Sequence, residues 1–314
     1  MTAPAVPATP AAPTAARRPR AKAGIDRWAG LVEFWLRAHT SLVYTFLYLP
    51  IVIVVLFSFN ENQLATIWTG FSLRWYEVAL NDQVVQSALL NSFSVALPNA
   101  ILATLFGTMA ALGLQRVGRR TRMGFDALTY ISIIVPEIVI ALSTLVLFAS
   151  AFGFINDAAG TRLQLGIPTI IAAHMLFNIS IVLLLVRARL TGMDRTMVEA
   201  SYDLYATPWR TFRQITFPQL LPAIIAGFLL AFTFSFDDYV ITSFVSGPGS
   251  STLPIFVFGQ VKRGVTPETN AVATMMLLFT LLMLAVGQLV LSRQARKSGG
   301  VQTGGMAGMI AEQR

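Results

Sequence analysis

Residues 198–223 read VEASYDLYATPWRTFRQITFPQLLPA. The stretch is polar, carries three prolines and separates two long apolar runs. It holds no metal-ligand cluster, no nucleophile beside a base and no glycine-rich phosphate loop. Its pattern is nonetheless regular. Gly192 can stop the preceding helix, and Asp194 can cap the next one. Met197, Ser201, Leu204, Tyr205 and Pro208 then recur at spacings of three and four, which predicts a short helix with one apolar side. Thr207 before Pro208 is a second start signal: a capping hydroxyl, then proline at the first helical position. Trp209, Phe212 and Ile215 continue an apolar stripe as far as Pro218. Two short helices are expected, with a turn near residues 205–207. Such a pair can lie flat on lipid, pack beneath a bundle, or dock a soluble partner.

The flanking runs set the fold class. The chain has 314 residues, is 55% hydrophobic and 12% charged, and has a mean hydropathy of +0.65. Soluble domains carry about 25% charged residues. A bilayer core about 30 Å thick needs roughly 20 apolar residues in a helix. Six stretches qualify, near 41–59, 88–114, 127–153, 167–187, 220–245 and 269–292. The expectation is an all-α polytopic membrane protein with six transmembrane helices. Pro50, Pro98, Pro136 and Pro222 fall inside these stretches, which membrane helices tolerate.

Of the 23 lysines and arginines, all but Arg74, Arg162, Lys262 and Arg263 lie in the N-terminal segment, the second-to-third or fourth-to-fifth connection, or the C-terminal tail. The positive-inside rule then places both termini and the 190–218 loop in the cytoplasm. That placement absorbs the net charge of +8 and leaves nucleic-acid binding without support. With no cysteine there is no disulfide or thiol chemistry. Residues 1–26, rich in Ala, Pro and Arg, read as a disordered tail without the apolar core of a signal peptide. Residues 27–40 suit an interfacial helix or a plain extension of the first span. Residues 41–295 form the six-span domain, and 296–314 a flexible tail.

The opening stretch resembles the cytoplasmic EAA loop of ABC importer permeases. That pattern runs Glu-Ala-Ala, three residues, Gly, nine residues, Ile, one residue, Leu-Pro. Glu199 and Ala200 match, Ser201 replaces the second alanine, and Tyr205 takes the glycine position. Ile215 and Pro218 match, and Phe217 replaces the leucine. Three further stretches resemble the spermidine/putrescine-type branch: VPEIVIALSTLVLF at 135–148, FSFDDYVITSFVSGPGSSTLP at 234–254 and GVTPETNAVATMML at 264–277. The resemblance spans roughly residues 40–295.

The resemblance implies a permease subunit of the bacterial inner membrane, forming half of a pathway for a polyamine or related cationic solute. Related permeases also carry other organic solutes and metal ions. It implies that Glu199, Ala200, Ser201, Leu204, Tyr205, Ile215 and Pro218 couple the spans to a separate ATPase dimer. It further implies a second homologous permease and a periplasmic or lipid-anchored binding protein. No cofactor is expected on this chain, since ATP is bound by the partner. No GxxxxGK[ST] loop occurs, and GPGSSTLP at 247–254 has the glycines but no lysine. At Tyr205, a left-handed conformation costs a non-glycine residue about 1 kcal/mol. The expectation is that Tyr205 stays helical and the turn moves to Ala206–Thr207.

Asp237 and Asp238 fall in the fifth stretch, where an ionised aspartate at a helix centre costs roughly 2.5–3.5 kcal/mol. They suit a cation-attracting lining, or a position already at the outer interface. Glu137, after Pro136, raises the same choice. Tyr239, Phe236 and Phe234 suit either an aromatic lining for amines or plain packing. His174 and Asn178 share a helix face and suit a polar interhelix contact or a substrate contact. Two other classes compete with the importer. An ion-coupled secondary transporter could use Glu137, Asp237 and Asp238 as a relay and needs no docking loop. An intramembrane enzyme has little to work with, because His39 and His174 are the only histidines and neither sits in HExxH.

Overall fold

The computed structural model describes residues 22–64 and 67–297, so most of both expected tails lies outside the described residues. The chain divides into one unit ending at Ile53 and a second beginning at Val54. The first unit is helical from Lys22. Helix α1 (Lys22–Phe57) runs unbroken through residues 27–40 into the first apolar stretch, so the expected interfacial segment is the opening part of one long helix. Arg37 pairs with Glu33 one turn earlier.

The second unit begins with a turn built around one side chain. Asn60 is fully buried; its Nδ2 donates to the carbonyls of Leu64 and Ile67, and its Oδ1 accepts from the Asn62 and Thr69 amides. Trp75 Nε1 donates to the Asn60 carbonyl at 2.8 Å, fixing the short helix α2 (Arg74–Asn81) on this turn. Asp82 caps α3 (Gln83–Gly113), accepting from the Val84 amide at 2.6 Å.

The rest follows as α4 (Arg119–Ile134), α5 (Glu137–Ala159), α6 (Ile167–Thr191), α7 (Thr196–Asp203), α8 (Pro208–Thr211), a π-helical turn (Phe212–Thr216), α9 (Phe217–Asp237), α10 (Val240–Val245), α11 (Leu253–Arg263) and α12 (Pro267–Lys297). Among the described residues, six helices are long and apolar enough to cross a membrane. The 25 residues of α6 extend about 37 Å at 1.5 Å per residue, enough to cross the bilayer core with some tilt.

Two of the expected stretches are divided. The third, read as 127–153, is broken at Val135–Pro136; α4 ends at Ile134 and α5 starts at Glu137 and runs on to Ala159. Proline disfavours the helical region for the residue before it, and Val135 sits at ψ 130. The fifth, read as 220–245, begins earlier and ends at Asp237. Asp238 is extended at ψ 127, and α10 is a separate short helix. Pro50, Pro98 and Pro222 stay within continuous helices.

The core is the seam between α3, α6 and α9, where buried Ala96, Ala100, Ala103, Val182, Val186, Leu220 and Ala231 meet. Small residues let these backbones approach closely. Val182 of α6 sits against both Gly107 of α3 and Gly227 of α9. A Cβ on Gly107 would lie 2.8 Å from Val182 Cβ and 3.0 Å from the Ile179 carbonyl. Asn178 Nδ2 donates to Asn99 Oδ1 at 2.6 Å, and Asn99 Nδ2 donates to the Ile171 carbonyl, a polar clasp inside the same seam. Gly107→Ala is expected to lower stability by about 1–3 kcal/mol through overpacking. A thermal melt of the detergent-purified protein checks this, and Val182→Ala in the same chain should recover part of the loss.

Candidate functional site

Two regions bring the sequence-derived candidates together. The first is the pair of interrupted spans. At Asp238 the helix stops because its carboxylate takes over the next backbone amides. Oδ2 accepts from the Thr242 amide and hydroxyl, both at 2.7 Å, and Oδ1 takes a longer 3.4 Å contact from the Ile241 amide. Aspartate competes with helical carbonyls in this way and starts the next helix instead. Asp238 is buried, whereas the neighbouring Asp237 is exposed and, among the described residues, its carboxylate meets Thr280 Oγ1 alone, at 3.5 Å.

Glu137 is the first residue of α5 after the Val135–Pro136 break, and α5 packs on α10 through Ala141, Ile241 and Val245. Both breaks therefore meet, and each places a carboxyl at the start of a helix: α5 at Glu137 and α10 just after Asp238. Helix N-termini carry partial positive charge that favours these carboxyls there. Discontinuous membrane helices meeting at such a point are a recurring way to build a solute site.

Tyr239 follows directly, its ring centroid 4.1 Å from that of Phe258 on α11, and Lys262 Nζ lies 5.0 Å from the Phe258 ring. Of the other aromatic candidates, Phe236 is core. It is 2% exposed and packs among Phe93, Phe232 and Phe279. Phe234 is half exposed and sits edge-on to Phe177.

His174 is the residue whose importance the sequence understated. Its Nδ1 lies 2.7 Å from Ser235 Oγ, and its Nε2 lies 3.0 Å from both Asp238 Oδ2 and Thr242 Oγ1. No local pattern links positions this far apart, although Ser235 and Thr242 stand at helical spacing from Asp238. Beyond α10, the GPGSS turn is locked in place. Asn91 Nδ2 donates to the Gly249 and Ser251 carbonyls, Ser92 Oγ accepts from the Leu253 amide, and Thr169 Oγ1 donates to the Val245 carbonyl. A Cβ on Gly247 would lie 1.8 Å from the Leu165 carbonyl oxygen, so this close approach admits only glycine.

The second region is the 190–218 loop. Gly192 ends α6, and Asp194 Oδ1 accepts from the Thr196 amide at 2.9 Å as α7 begins. That backbone hydrogen bond, with a further one from the Thr196 side chain, holds the Asp194 carboxyl below the usual carboxylate range. Thr207 caps α8 as expected, with Pro208 next. The second helix does not stop at Pro218. Proline brings no N–H to the Gln214 carbonyl, and the Phe217 amide reaches back to the Phe212 carbonyl. The helix widens into a π turn and continues as α9.

The expectation for Tyr205 is overturned: it sits at φ 54, in the left-handed region. The Ala206 amide donates to the Ser201 carbonyl and the Tyr205 amide to the Tyr202 carbonyl, the two bonds of a Schellman helix end. Closing α7 this way satisfies two carbonyls, which offsets the Cβ strain that the sequence reading weighed alone. The apolar side of α7 is not buried. Met197, Leu204 at 82%, Tyr205 at 96% and Trp209 at 69% face outward with Glu199 and Ala200. Glu199 makes no ion pair with Arg195 or any other described residue. The inward contact is polar: Ser201 Oγ and Thr211 Oγ1, both buried, lie 2.9 Å apart. Ile215 is half-buried and Pro218 exposed.

Further ties hold this end of the bundle. Arg187 pairs with Asp126 of α4, and its guanidinium keeps that carboxyl below the ordinary range. Arg189 Nε donates to the Gln219 carbonyl at 3.0 Å, linking α6 to the start of α9.

A family model described as "Binding-protein-dependent transport system inner membrane component" matches residues 103–298. The putrescine transport system permease protein PotI of Escherichia coli (strain K12) is 44% identical over 244 residues, covering 77% of this chain and 85% of that protein. The spermidine/putrescine transport system permease protein PotC of Haemophilus influenzae is 38% identical over 259 residues, covering 82% and 97%. Among solved structures, a bacterial ABC transporter that imports alginate aligns with a TM-score of 0.68 at 12% identity, over 85% of this chain and 99% of that one. The MetNI methionine ABC transporter aligns with a TM-score of 0.51 at 16% identity, over 68% and 99%. The two structural matches establish a shared fold. With six membrane-length helices and relatives of this identity and coverage, the chain belongs to the family of binding-protein-dependent transport system inner membrane components, as a multi-pass protein of the inner membrane.

Proposed function

We propose that this chain is one of two membrane subunits of an ATP-driven importer for a polyamine such as putrescine or spermidine. The observation that carries the importer reading is α7: a short, well-capped helix that presents Glu199, Leu204 and Tyr205 to solvent and offers no reactive group. A docking element needs shape and a stiff connection, and here the connection continues from α8 through the π turn into α9. By the charge distribution this end faces the cytoplasm, where an ATPase pair would seat it. The names of the relatives favour an amine as cargo, and Glu137 and Asp238 at the meeting of the two breaks suit an ammonium group. Asp237 and Tyr239 stand beside that point and complete the candidate pathway. A homologous second permease and a binding protein on the outer face complete the assembly.

The test is uptake of labelled putrescine and spermidine in cells lacking this chain. Loss of amine uptake is expected, with recovery on re-expression; unchanged uptake of every amine rejects the cargo assignment. Glu199→Ala should weaken co-purification of the ATPase without altering membrane insertion. Accumulation of amine by vesicles holding this chain alone, driven by an ion gradient, would reject the importer itself in favour of an ion-coupled transporter.

A further inference from the structure

We propose that His174 is a positioning residue that holds the two halves of the broken fifth span together and aims the Asp238 carboxylate. The ring belongs to α6, which passes the break without interruption. It is 2% exposed, so it is a fixed part of the wall and not a surface for solute. Its two nitrogens reach both sides of the break. Nδ1 meets Ser235 near the end of α9, and Nε2 meets Asp238 at the break and Thr242 on α10.

The chemistry assigns the roles. In the neutral ring, Nε2–H donates to the acceptor-only carboxylate, which leaves Nδ1 to accept from the Ser235 hydroxyl. Asp238 Oδ2 then accepts from three donors: His174 Nε2, the Thr242 amide and the Thr242 hydroxyl. Oδ1 takes only the 3.4 Å contact with the Ile241 amide among the described residues. Oδ2 is saturated by the wall, and Oδ1, with one long contact, is the oxygen with capacity to spare. A ring bonded to both half-helices also sets the distance between them, and so fixes where the spare oxygen stands.

This inference rests on the amine-pathway reading of Asp238, and the experiment separates the two. His174→Gln places an amide donor near the Nε2 position, whereas His174→Asn places one near Nδ1. In the complete importer, the maximal rate of putrescine uptake per assembled complex is measured for both variants and for Asp238→Asn. The expected result is a rate within about threefold of wild type for Gln and about tenfold or more below it for Asn, the loss of one buried hydrogen bond to a charged group. Asp238→Asn should fall with the Asn variant. A normal rate for His174→Asn beside a defective Asp238→Asn overturns the positioning role and leaves the pathway reading standing. A normal rate for Asp238→Asn rejects the pathway reading.

A second measurement then decides the contact on its own. The chain has two histidines, so ¹⁵N-histidine labelling of the full-length protein gives two assignable imidazole spectra. In wild type, His174 should show a protonated Nε2 and an unprotonated, hydrogen-bonded Nδ1, and both signals should move in Asp238→Asn. Signals indifferent to that substitution overturn the proposal.

Discussion

Asp238→Ala is expected to destabilise the protein by about 3–5 kcal/mol, while Asp237→Ala one position earlier changes stability by less than about 0.5 kcal/mol. The contrast follows from what each carboxyl holds. Removing the Asp238 carboxylate strands the Thr242 and Ile241 amides in a buried setting and leaves His174 Nε2 and the Thr242 hydroxyl with only each other. Leaving such donors unpaired costs more than the net value of the bonds themselves. Asp237 is exposed and has only a marginal contact with Thr280. Asp238→Asn keeps one accepting oxygen and the side-chain volume, so its cost should fall between the two. Monodispersity on size exclusion and thermal melting in detergent read all three. Equal melting temperatures for the two alanine variants would mean that the break is not held by the carboxylate.

The same pair of residues marks how far sequence reasoning reaches. Hydropathy and length located six spans, because those signals are local and additive along the chain. Gly192, Asp194, Thr207 and Pro208 announced the ends of the loop helices, because caps act on amides two or three positions away. The breaks were harder. An apolar stretch reads as one helix whether or not a proline or an aspartate divides it, and Pro98 and Pro222 show that proline alone does not decide. What ends α9 is the preference of the Asp238 carboxylate for the Ile241 and Thr242 amides, reinforced by a histidine 64 positions away. That last partner comes from tertiary packing, which no periodicity encodes. Tyr205 departs from its expected conformation for a related reason. The Cβ penalty is visible in the residue type, whereas the two capping bonds that offset it appear only once the chain has turned.

The breaks and the loop are ends of one object. From Pro208 to Asp237 the chain is a single helical run of 30 residues, about 45 Å long at 1.5 Å per residue. Its loop end is pinned by Ser201–Thr211 and Arg189–Gln219, and its far end by the His174 cluster. A force applied to α7 would pass along this rod to the meeting point of Glu137 and Asp238. Coupling then requires two packed arrangements of the rod, each with its own alignment of the carboxyls, and no chemistry at the loop.

Tyr205→Gly is expected to move two measurements in opposite directions. Glycine adopts the left-handed conformation without the Cβ clash, so about 1 kcal/mol of strain is relieved, partly offset by the greater freedom of glycine in the unfolded chain. The melting temperature of the isolated chain should therefore rise. Association with the ATPase should weaken by about 30-fold, corresponding to about 2 kcal/mol for an aromatic anchor lost from an interface. The reason is the placement of the ring, which is 96% exposed and beside the equally unpartnered Leu204. A side chain kept in a strained conformation while touching almost nothing in its own chain points to a contact made elsewhere. Tyr205→Phe separates the contributions, since it retains both the strain and the ring face and should bind nearly as well as wild type. If the glycine variant is more stable and holds the ATPase as tightly as before, the ring is an incidental feature of the turn, and the docking contact must be assigned to Glu199, Leu204 and Trp209 without it.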